Sequence, residues 1–96
     1  MKIYVCTQDV TPSSLLDISK LVESDIVIIE KVNGFLTVIY AISEKAKQKL
    51  SEIDLKKLKS DFFDSAFICI MNLERTKQFL EEKIPNVEYI ETKTSQ

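Results

Sequence analysis

The 96-residue chain is 45% hydrophobic and 29% charged with a net charge of −2, the balance of one globular domain (residues 1–96) with one core, and not of a disordered chain. Histidine is absent, glycine occurs once and Arg75 is the one arginine. This removes the commonest general base and zinc ligand, excludes phosphate-cradling and dinucleotide-binding loops, and weighs against base reading in DNA.

Lys2 to Thr7 (KIYVCT) reads as a first strand. Thr11-Pro12 then supplies a capping hydroxyl and a proline at the first helical position, and Leu15, Ile18, Leu21 and Val22 follow at helical spacing up to Glu23 or Ser24. Next comes a hairpin, DIVIIEKVNGFLTVIYAIS, turning at Asn33-Gly34, a pair suited to the positive φ of a type I′ turn. A two-residue turn sets Val32 opposite Phe35, Glu30 opposite Thr37, Ile28 opposite Ile39 and Ile26 opposite Ala41. The other face then pairs Lys31 with Leu36, Ile29 with Val38 and Val27 with Tyr40. Both faces carry aliphatic pairs, so both need covering, either by the last helix of the chain or by a second chain.

Ser43 caps a second helix with Ala46, Leu50 and Ile53 inward. The apolar phase slips at Ile53-Asp54-Leu55, predicting a break there and a new helix carrying Leu55, Leu58 and Phe62. Ser65 to Met71 (SAFICIM) reads as an interior strand. Asn72 caps a last helix, Leu73 to Lys83, with Thr76, Phe79, Leu80 and Ile84 inward and Pro85 stopping it. Val87 to Glu91 reads as an edge strand, and KTSQ as a frayed tail. The order implies an α+β sandwich: a ferredoxin-like βαββαβ unit with an additional C-terminal α-β element. That arrangement places the first and fourth strands side by side, and with them Cys6 and Cys69. The two cysteines read as buried reduced thiols or as a disulfide between neighbouring strands. No apolar run approaches the roughly 20 residues of a bilayer span, and MKIYVCTQDV lacks the apolar core of a signal peptide. A cytoplasmic protein without a membrane partner is expected.

Three groups of residues are candidates for function. Asp9, with Asp17, Asp61 and Asp64, could hold Mg²⁺. Through the acid after strand one in YVCTQDVTP, the chain length and the element order, the sequence resembles the Cas2 and VapD group of small nucleases. The resemblance implies Mg²⁺-dependent phosphodiester hydrolysis with Asp9 as the alternative metal site. The family's acid stands closer to the strand end, and the first helix here lacks the basic residues expected there. The second group is the lysine stretch, with Lys45, Lys49 and Lys56 on one outer strip at helical spacing, suited to a phosphate backbone or an acidic partner. The third is Phe63, an aromatic anchor beside that strip. The leading expectation is a non-catalytic interaction module without cofactor or metal, a regulator, inhibitor or adaptor. It would act as a homodimer or with a protein partner through the hairpin face bearing Lys31, Leu36 and Tyr40. Small proteins of such lysine-, isoleucine- and glutamate-rich composition are common in AT-rich genomes, those of phages and mobile elements included. A nucleic-acid or nucleotide binder is the remaining alternative.

Overall fold

The computed structural model of the chain describes residues 1–6, 23–31, 35–59 and 64–91. The predicted first helix, the Asn33-Gly34 turn, Phe62, Phe63 and the tail lie outside these residues, as do Asp9, Asp17 and Asp61.

Among the described residues, six strands and two helices form an α+β globule: β1 (Lys2–Cys6), β2 (Ile26–Lys31), β3 (Leu36–Ala41), α1 (Glu44–Glu52), β4 (Lys56–Leu58), β5 (Ala66–Cys69), α2 (Leu73–Lys83) and β6 (Glu88–Glu91). The strands make one mixed sheet in the order β4-β5-β3-β2-β1-β6. β1 runs parallel to β2 and β6, while β2·β3, β3·β5 and β4·β5 are antiparallel. The hairpin register is the expected one, with Ile29 opposite Val38, Val27 opposite Tyr40 and Lys31 opposite Leu36. The element order is roughly compatible with the ferredoxin-like unit, but the strand order is not a clean match.

Both helices are capped as their sequences indicate. The Ser43 hydroxyl accepts from the Ala46 amide at 3.1 Å, and the Asn72 side chain accepts from the Arg75 amide at 2.9 Å. Each cap satisfies one of the orphan donors of a first helical turn. α1 ends where the phase slips: Ile53 turns to extended ψ 147°. No helix follows. Lys56–Leu58 instead pairs antiparallel with β5, with Lys57 opposite Phe67. Leucines three apart fit a helix or a short strand equally, and the open side of β5 decides the contest.

α1 and α2 lie on the same face of the sheet. Ala46 and Leu50 from α1 and Leu80 and Ile84 from α2 pack on Ile3, Val5, Ile26, Ile28, Ile39, Phe67 and Cys69 in one core. The last helix is therefore not the cover of the second face. Beyond α2, Asn86 takes φ 57°, a left-handed conformation that asparagine tolerates. Its carbonyl accepts from the Met1 ammonium at 2.7 Å, and the chain then enters β6 beside β1. Among the described residues, no helix is long and apolar enough to cross a membrane.

Candidate functional site

β2 and β3 stand between β1 and β5, so Cys6 and Cys69 lie on strands about 14 Å apart at the usual strand spacing, beyond the reach of a disulfide. Cys69 is a buried free thiol. Burial pushes its pKa up, and a hydrogen bond with Thr76 draws it only partly back, which leaves little nucleophilic thiolate.

The lysine strip divides. Lys45 and Lys49 stay together on α1 and line a groove of about 330 Å³ with Ile84 and Pro85. Lys49 also borders an adjoining groove of about 600 Å³ with Phe79, Lys83, Glu52 and Asp54, so acids alternate with the cations along it. Lys56 belongs to β4 at the edge of the sheet, because residue 56 is in a strand and helical spacing no longer applies to it. Among the described residues, no group of three or more acidic or cysteine side chains is placed to share a metal ion. Asp64, the described member of the acidic set, faces Lys47 at 3.4 Å. The Lys47 hydrogen bond and charge hold its carboxyl below the ordinary range, helped by the Ser65 hydroxyl.

The second sheet face changes character from one side to the other. Over β1 and β2 it is sealed within a single chain: Tyr4, Val27 and Ile29 form a buried cluster flanked by Tyr40, Ile42 and Ile90, and Val27 and Ile29 have no exposed surface. Over β3, Val38 is buried while Leu36 and Tyr40 are half-buried. Over β5, Ala66 is buried and Ile68 half-buried. Over β4, Leu58 is 37% exposed, and Ile70, just past the end of β5, is 78% exposed. The face is thus closed at the β1 side and open at the β4 side. Of the sequence candidates, Leu36 and Tyr40 lie along this gradient; Lys31 holds its register position opposite Leu36, and Phe63 lies outside the described residues. Sequence reasoning missed Ile70. SAFICIM reads as uniformly apolar, and only the pairing partners of alternate residues reveal which of them is left uncovered.

The two edges of the sheet differ in charge. β4 reads Lys56-Lys57-Leu58 with all three residues exposed, and exposed Lys59 follows. β6 reads Glu88-Tyr89-Ile90-Glu91. Tyr89 is anchored inward: its hydroxyl donates to the Lys77 carbonyl at 2.9 Å, and the Lys77 ammonium sits 5.1 Å from the ring centre. Burial and the neighbouring Glu81 carboxylate push the Tyr89 phenol well above its ordinary range.

Comparison of the chain with protein families, with curated proteins and with solved structures yields no match.

Proposed function

We propose that the protein is a small non-catalytic interaction module, a cytoplasmic regulator, inhibitor or adaptor of the kind carried by phages and mobile elements. It works as a homodimer through the open side of its second sheet face. The observation that supports this reading is the gradient of burial. Apolar side chains at Leu36, Ile68, Leu58 and Ile70 continue a face whose other half is sealed, and the last of them is 78% exposed. Exposed apolar surface with a polar rim is the usual mark of a protein contact. Light scattering at tens of micromolar tests it. The wild-type chain is expected at twice its monomer mass. Ile70→Asp is expected at monomer mass with an unchanged circular dichroism spectrum, because an exposed position tolerates a charge that an interface does not. A monomeric wild-type protein over that range refutes the dimer.

A second reading, a nucleotide or nucleic-acid binder, keeps Lys45 and Lys49, which line one groove, and loses Lys56. It requires salt-sensitive binding that weakens in Lys45→Ala/Lys49→Ala.

A further inference from the structure

The sheet ends in two unlike edges. Among the described residues, no strand pairs with the outer side of β4 or of β6. A strand edge with an unsatisfied ladder is a template for another strand, and proteins control what it accepts through the charges they place there. Lysine on β4 is usually read as a guard against aggregation. It guards against one partner above all: a second β4, which would set Lys56 and Lys57 against lysine. A second β6 would likewise set Glu88 and Glu91 near glutamate. Like charges on facing strands are unfavourable and opposite charges favourable. Each edge therefore disfavours itself and favours the other.

Strand direction agrees with the charges. β6 runs with β1 and β2, β3 against them, β5 with them and β4 against them. Within one molecule β4 and β6 are antiparallel. A copy placed alongside in the same orientation brings its β6 antiparallel to β4 of the first, the pairing in which ladder hydrogen bonds run straight across. One register also matches residue types at two successive positions. Leu58 and Ile90 both belong to the second face, since Leu58 pairs with Ala66 and Ile90 with Tyr4. Setting Leu58 opposite Ile90 puts Lys57 opposite Glu91.

We infer that β4 of one copy adds to β6 of the next, so that the six-stranded sheet continues from molecule to molecule through a basic edge meeting an acidic one. The contact is head to tail. Every copy in such a row still presents one free edge of each kind, so the association leads to a ring or an open row and not to a two-fold pair. It goes beyond the face-to-face dimer proposed above and uses different residues.

Sedimentation velocity of the full chain tests it at two salt concentrations. In about 0.01 M salt the chain is expected to form species above the dimer that grow with protein concentration. These are expected to disappear in about 1 M salt, where the screening length falls from about 30 to about 3 Å. Lys57→Glu alone and Glu91→Lys alone are each expected to weaken the association about tenfold. The two variants mixed, or both changes in one chain, are expected to restore it, because each joint again pairs opposite charges. Failure of the double change to restore the single losses overturns the proposal. So does a salt-independent mass in the wild-type chain, a result that needs no variant to fold. Association that survives high salt but not Ile70→Asp belongs to the apolar face, so loss of either contact is read separately from the other.

Discussion

Asp25 holds three chain segments together. One carboxylate oxygen accepts from the Lys2 amide at 2.9 Å and the other from the Ser43 hydroxyl at 2.8 Å. Its carbonyl accepts from the amides of Ile42 and Ser43 at 2.7 and 3.2 Å. The start of β1, the start of β2 and the cap of α1 thus meet at one side chain. Partial burial pushes the Asp25 pKa up, but the Lys2 amide and the Ser43 hydroxyl, with the N-terminal and Lys45 charges, hold it below its ordinary value of 3.8. A carboxyl lowered on folding stabilises the fold above its unfolded pKa, and that contribution is lost as pH falls through the lower folded value. Asp25→Ala is expected to cost about 1–3 kcal/mol near neutral pH, from the loss of two side-chain hydrogen bonds with charge assistance. Its difference from wild type in urea denaturation should shrink as pH is lowered below about 4. A constant difference down to pH about 2 would mean that the ionised carboxylate is not what stabilises the fold. The caps at Ser43 and Asn72 could be read from sequence because each serves an amide three residues on. The role of Asp25 could not, because its partners lie 18 and 23 residues away and come within reach only once the sheet exists.

At the level of elements, the β2–β3 hairpin is the part most fully determined by its own sequence. Its register depends on a short turn and a period of two, both local. Its double apolar pattern correctly signalled two covered faces at its centre: Ile28 is buried against the helices, and Val38 is 5% exposed on the opposite side. Ile28→Asp and Val38→Asp are each expected to destabilise the monomer by at least about 3 kcal/mol, because either buries an unpaired charge. Ile70→Asp, on the exposed residue just past the end of β5, should change stability by no more than about 0.5 kcal/mol. Equilibrium urea unfolding of the three variants checks the burial gradient directly, and a stable Val38→Asp monomer would show that the second face is wetter at β3 than described. The short β4 shows the opposite case. Three residues offer too few alternations to reveal a strand, and Leu55 and Leu58 fit a helical stripe. Only the partner strand Ala66–Cys69 makes the assignment, through pairs such as Lys57 with Phe67.

For the molecule as a whole, the strand order was the least legible feature. The class follows from the sequence of elements, but which strands become neighbours depends on contacts between distant segments. β1 takes β2 and β6 as neighbours, and β5 takes β3 and β4, so the expected contact between β1 and β5 does not form. The same order ranks the strands by protection. Amide hydrogen exchange should be slowest in β2 and β3, which lie at the centre of the sheet, and fastest in the edges β4 and β6. Exchange in β2 as fast as in β4 would contradict the sheet order. The pairing of β1 with β6 has a consequence for biosynthesis. The ribosome makes β1 well before its outer neighbour, which comes 86 residues later by the Lys2–Glu88 register. Throughout translation the outer side of β1 has no native partner, and Asn86 is not yet there to receive Met1. Closure of so long a loop is slow, and a nascent chain with an open, apolar strand is exposed to chaperones and to aggregation. A ribosome stalled before β6 emerges would therefore release a product whose defect lies far upstream of the stall, at β1.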